Sequence, residues 1–168
     1  MPLPNARFGP GHVPWPDHQG AALFMRTQNL TADDIVLAED VQEQTYYLGS
    51  VDYWLISRKH GRRFVHRVDG VIRDFYTNTP VIDNGVDLAY LLDRYPDRRI
   101  YVVGSGENRG DDRREMRGDG IAAVLKSRFE AVYVGRDNYA TVWRARQQPK
   151  AVTTRPAQTG DAAPARME

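Results

Sequence analysis

The chain contains no cysteine. That excludes a disulfide scaffold, a thiolate nucleophile, a zinc knuckle and an iron–sulfur site. No charge sign dominates, because 23 basic and 22 acidic side chains leave a net charge of +1. A strongly basic nucleic-acid binder does not fit that balance, and neither does an acidic disordered chain. Long apolar runs are missing too. None exceeds five residues, as at Ala21 to Met25, whereas a membrane-spanning helix needs about 20. The first residues show no basic segment followed by an apolar stretch, so they lack a secretory pattern. What remains is a chain of 168 residues, 41% of them apolar. It has the length of one ordinary domain and enough apolar material for a core, and it is expected to be soluble.

Composition divides the chain into three parts. Five of the ten prolines, Pro2, Pro4, Pro10, Pro14 and Pro16, stand in the first sixteen residues. Each fixes φ and removes a donor, so residues 1–16 read as an extended lead-in, with Phe8 and Trp15 as anchors. Residues 147–168 hold almost no large apolar side chain to offset their ordering entropy and read as a disordered tail. Residues 17–146 read as a single α/β domain.

Within that domain, strand and helix signals alternate. Asp17 caps a helix to Gln28. Ile35-Val36-Leu37-Ala38 is continuous apolar sequence, the mark of a strand buried on both faces. Asp40-Val41-Gln42-Glu43 fits a capping box for a short helix that stops at Gly49. Val51 to Ser57 reads as a strand, Phe64 to Ile72 as extended with a break at Gly70, and Thr79 to Ile82 as another strand. Asn84 opens a helix to Tyr95, ended by Pro96. Arg99 to Val103 is a strand, Gly104 to Arg117 a charged loop, and Asp119 caps a helix to Arg128. Ala131 to Val134 and Tyr139 to Arg146 form a hairpin across Gly135-Arg136-Asp137-Asn138. This order predicts a Rossmann-like α/β fold: a mostly parallel sheet flanked by helices and closed by a C-terminal antiparallel hairpin.

Few constellations carry chemistry. Gly104-Ser105-Gly106-Glu107-Asn108-Arg109-Gly110 follows a strand as a phosphate loop would. A dinucleotide site, however, needs the helix to open at the glycines, and here a polar stretch intervenes. There is no Walker A lysine, no Asp-x-Asp pair and no Gly-x-Ser-x-Gly elbow. His12, His18, His60 and His66 show no i, i+4 spacing, and the first two stand near the lead-in, so no metal site is expected. Glu39 and Asp40 fall where the first strand ends, the place where open α/β sheets bind ligands. Two readings stand side by side there: carboxylates for a sugar or ribose hydroxyl, or Asp40 acting only as a helix cap. Arg58, Lys59, His60, Arg62, Arg63 and Arg67 form the one dense basic segment. It is either a solvated turn or a contact for phosphate or a lipid headgroup, to which guanidinium is suited. The rings of Tyr46, Tyr47, Tyr53, Trp54, Phe75 and Tyr76 either line a sugar site or fill the core.

One string of motifs goes further. Asp33-Asp34-Ile35-Val36-Leu37-Ala38 leads into Tyr46-Tyr47-Leu48-Gly49 and Val51-Asp52-Tyr53-Trp54-Leu55. Then come Arg73-Asp74-Phe75-Tyr76-Thr77-Asn78-Thr79-Pro80-Val81-Ile82 and Arg99-Ile100-Tyr101-Val102-Val103. Phe129-Glu130-Ala131-Val132-Tyr133-Val134-Gly135-Arg136 and Val142-Trp143-Arg144 close the string. This order, spanning roughly Asp17 to Arg146, resembles the soluble C-terminal domain of bacterial multi-pass membrane glycosyltransferases. That family uses polyprenyl-phosphate sugar donors and is akin to protein O-mannosyltransferases and aminoarabinose transferases. Two departures from its pattern are Asn78, where glycine often follows Tyr-Thr, and the long charged stretch from Gly104 to Arg117.

The resemblance implies an accessory domain that covers the active site or selects the acceptor. Catalysis would belong to a membrane portion, which is the implied partner along with a polyprenyl-phosphate sugar or anionic lipid. It implies no catalytic residue, metal, cofactor or nucleic acid here, and a place on the external, periplasmic face of the inner membrane. Glu39, Asp40, Tyr46, Tyr47, Asp74 and Tyr76 are the candidate substrate contacts, and Arg58, Arg62 and Arg63 the candidate phosphate or headgroup contacts. The alternative is a free-standing, cytoplasmic nucleotide- or cofactor-binding protein or enzyme that uses Glu39, Asp40 and the loop from Gly104 to Gly110.

Overall fold

A computed structural model describes residues 16–56, 63–105 and 120–147. Its elements are α1 (His18–Thr27), β1 (Ile35–Ala38), α2 (Val41–Leu48), β2 (Tyr53–Leu55), β3 (Val65–Val68) and β4 (Val71–Asp74). They continue with β5 (Val81–Ile82), α3 (Gly85–Arg94), β6 (Ile100–Ser105), α4 (Ile121–Arg128), β7 (Phe129–Val134) and β8 (Ala140–Ala145). Six strands form one sheet in the order β5-β2-β1-β6-β8-β7, and β3 and β4 form a separate antiparallel pair. β5, β2, β1 and β6 are mutually parallel. β8 runs antiparallel to both of its neighbours, so the closing hairpin inserts its second strand next to β6 and leaves β7 at the edge. The α/β class, the mostly parallel sheet and the C-terminal hairpin are therefore as expected.

Alternation along the strands explains the layers. Ile35 and Leu37 of β1 join Ile100 and Val102 of β6 on one face, where Leu88, Leu91 and Leu92 of α3 and Ile121 of α4 cover them. Val36, Tyr101 and Val103 point to the other face, where Ala21 and Met25 of α1 meet them with Val142 of β8. All four residues of β1 are buried, which is why that segment reads as uninterrupted apolar sequence. No helix among the described residues is long and apolar enough to cross a membrane.

Three local expectations are corrected. Asp40 stands at the N-cap of α2, but its side chain makes no capping hydrogen bond, so the capping box with Glu43 does not form. The N-cap of α4 is Gly120, in the left-handed region, one residue after the expected Asp119. β6 runs through Gly104 and Ser105, which therefore belong to the strand rather than to a loop. Asp17 and Asn84 do cap α1 and α3, accepting from the N–H groups of Gly20 and Asp87. The break at Gly70 is a tight hairpin turn, with Asp69 at φ 48° and Gly70 at φ 81°. Phe8, Trp15 and most of the tail lie outside the described residues.

Candidate functional site

β1 is the pivot of the sheet. The chain leaves it toward β2 on one side, while β6 pairs with it on the other. Open α/β sheets hold ligands at such a reversal, outside the carboxyl ends of the strands. Glu39 and Asp40 follow β1 directly. The Glu39 N–H donates to the Val103 carbonyl at 2.9 Å, which extends the β1–β6 ladder, and the Glu39 carbonyl accepts from Trp54 Nε1 at 2.9 Å. Its backbone is thereby fixed between three strands. Its side chain lies over Gly104, in the space that a Cβ there would fill.

Asp40 turns away from its helix toward α1. Its Oδ2 stands 3.7 Å from His18 Nε2. His18 Nδ1 meets Gln44 Nε2 at 3.2 Å, and Gln44 is completely buried. The result is a carboxylate–imidazole–amide chain joining α1 to α2 beside Glu39. Sequence spacing does not reveal His18 or Gln44 as its members, because they come from different helices.

The remaining candidates belong elsewhere. Tyr46 is exposed on α2 and packs edge-on against Tyr47, with ring centroids 5.1 Å apart. The Tyr47 carbonyl accepts from Arg26 at 2.5 Å. Asp74 and Tyr76 lie on the β3–β4 unit, not on the main sheet. Asp74 is fully buried, and its Oδ2 accepts from the Tyr76 N–H at 3.0 Å, the Thr77 N–H at 2.6 Å and the Thr77 hydroxyl at 2.8 Å. It is a turn organiser, which leaves Phe75 and Tyr76 exposed. Asn78 takes φ 58°, a left-handed conformation that glycine adopts freely and asparagine tolerates. Arg63 is exposed at the start of the β3–β4 unit, and Arg58 and Arg62 lie outside the described residues. The structure thus brings Glu39 and Asp40 together and keeps Asp74 and Tyr76 on another unit.

Two open clefts lie at the opposite, amino-terminal edge of the sheet. One, about 470 Å³, is bounded by Arg26, Thr31, Asp34 and Asp52, and the other, about 300 Å³, by Tyr95, Arg98, Arg128 and Arg146. Asp34 is the chief electrostatic feature there. Burial alone would raise its carboxyl, but hydrogen bonds from Arg99 and Thr31 outweigh burial and hold it below the ordinary carboxylate value. Both of its oxygens face the Arg99 guanidinium, at 2.7 Å and 2.5 Å. The pair ties the loop before β1 to the start of β6, so its geometry serves the fold. Among the described residues, no group of three His, Asp or Glu side chains is placed to hold a metal ion. Comparison of the chain with protein-family models, curated proteins and solved structures finds no match.

Proposed function

We propose that this chain is a Rossmann-like accessory domain of a membrane glycosyltransferase that takes its sugar from a polyprenyl phosphate. It selects the acceptor or covers the active site on the periplasmic face of the inner membrane, and it is not catalytic alone. The observation that carries this reading is the turn built on Asp74. The segment Arg73 to Ile82 is the longest of the motifs that resemble that family. Its centre is spent on a buried carboxylate that holds a rigid, outward-facing Phe75-Tyr76 pair. Such a turn presents a surface. Of the other motifs, Tyr46 to Gly49 falls on α2 and its C-cap, and the rest fall on or beside β1, β2, β6, β7 and β8 of one sheet. The test is the reading frame upstream of Met1 in the source DNA. An open frame encoding several apolar spans of about 20 residues is expected. A stop codon just upstream, behind a ribosome-binding site, would overturn the proposal, as would sugar transfer by the purified 168 residues.

A second reading rests on Glu39 and the His18–Asp40–Gln44 chain, which stand at the carboxyl ends of β1 and β6 where α/β sheets hold nucleotides. It predicts saturable heats on titration with a nucleotide or dinucleotide. Flat titrations across such a panel would remove it.

A further inference from the structure

The β3–β4 hairpin carries an apolar face that nothing in the described structure covers. Its register pairs His66 with Arg73 and Val68 with Val71. The Phe75 N–H donates to the Phe64 carbonyl at 2.8 Å, which adds Phe64 opposite Phe75. Alternation puts these three pairs on one face. The His66 and Phe75 rings, edge-on at 5.8 Å, agree with that placement, and Tyr76 stacks edge-on against Phe75 at 5.6 Å. Asp74 belongs to the other face, which turns inward and buries it. The outward face is thus an aromatic pair, a basic pair and a valine pair. Phe64, Val68, Val71 and Phe75 are all exposed, Phe75 by 66%.

A hairpin face open to water normally carries polar side chains. Here the apolar residues are large, Arg73 brings a guanidinium, and no acidic side chain stands among the six. A second copy seated on this face in a twofold pair would bring a second Arg73 with no acidic partner to meet it. An anionic bilayer matches both features, because aromatic rings settle at the headgroup level and guanidinium meets lipid phosphate. We infer that the Phe64/Phe75, His66/Arg73, Val68/Val71 face seats the domain on an anionic phospholipid surface. This inference shares the Phe75–Tyr76 surface with the glycosyltransferase reading but does not require that reading, since a free-standing protein could dock in the same way.

The test uses the whole chain and vesicles of phosphatidylcholine with or without about 30% phosphatidylglycerol. The chain should float with the anionic vesicles, and less so as salt rises. Replacing both rings, Phe75→Ser with Tyr76→Ser, should lower partitioning by about tenfold or more. Because the chain has no cysteine, a single environment-sensitive dye can be placed at Val71→Cys on the hairpin or at Tyr90→Cys on α3. Only the Val71 probe should shift to the blue on vesicles, a readout that does not depend on removing the rings. The inference falls if the chain does not bind anionic vesicles, if binding survives loss of both rings, or if the two probes respond alike. It also falls if sedimentation shows a ring-dependent dimer without vesicle binding.

Discussion

The side chain of Glu39 occupies the space that a Cβ on Gly104 would fill. The atoms in the way are the outer atoms of a flexible acid, from Cγ to the carboxylate. Gly104→Ala should therefore push Glu39 aside rather than disturb the sheet. A stability loss below about 1 kcal/mol is expected in urea titration. If the nucleotide reading holds, the same variant should weaken ligand binding far more than it weakens folding. Calorimetry beside urea titration separates the two effects.

Gly85 presents the opposite case. A Cβ there would lie 2.5 Å from the Gly120 carbonyl oxygen and 2.6 Å from its carbon, where the first turns of α3 and α4 meet. Backbone cannot swing aside. Alanine favours a helix over glycine by up to about 1 kcal/mol, yet overpacking costs about 1–3 kcal/mol. Gly85→Ala should lower the Tm clearly, while Gly104→Ala barely moves it. Equal losses would show that the α3–α4 contact can relax.

The Asp34–Arg99 pair makes stability sensitive to acid. The folded Asp34 carboxyl titrates below its ordinary value, because hydrogen bonds from Arg99 and Thr31 outweigh the effect of burial. A carboxyl lowered on folding contributes its stability above the unfolded value, about pH 3.9, and loses it as pH falls through the folded value. Asp34→Asn should cost about 2 kcal/mol at neutral pH, with Arg99 partly open to solvent and the pair discounted for that. The gap in Tm between wild type and variant should stay constant from about pH 7 to 5 and narrow below about pH 4. A gap that persists unchanged to about pH 2.5 would mean that the substitution removes something other than charge.

The parts of the fold that local chemistry decides could be read from the sequence. The apolar run of β1 is buried throughout, and Asp17 and Asn84 cap as their positions suggest. Gly49 ends α2 at φ 89°, which a side chain would resist. What failed was decided by distant partners. Asp40 has the spacing of a cap, but His18, 22 residues earlier, draws its carboxylate away. Rings are usually core, and Trp54 obeys, yet Phe75 and Tyr76 are turned out by the demands of Asp74. At the candidate site, the position of Glu39 and Asp40 followed from strand–helix alternation. The separation of Asp74 and Tyr76 from them did not, because no local signal tells that β4 leaves the main sheet.

That division between Asp74 and its neighbours gives a last prediction. Asp74 is buried and accepts three hydrogen bonds, two from backbone N–H groups and one from the Thr77 hydroxyl. Asp74→Ala removes the acceptor and leaves the two N–H donors without partners, while the Thr77 hydroxyl keeps the Thr79 hydroxyl at 2.8 Å; each unsatisfied buried donor costs about 1–3 kcal/mol. Water entering the turn offsets part of that, so a net loss of about 2–4 kcal/mol is expected. Phe75→Ser and Tyr76→Ser remove rings that touch mainly each other and His66. They should change stability by no more than about 0.5 kcal/mol each. Urea titration of the three variants checks the contrast. If the ring variants lose as much as Asp74→Ala, the rings belong to the fold and not to a contact surface. If they are neutral while Asp74→Ala is costly, the buried acid exists to hold up two side chains that the fold itself does not need.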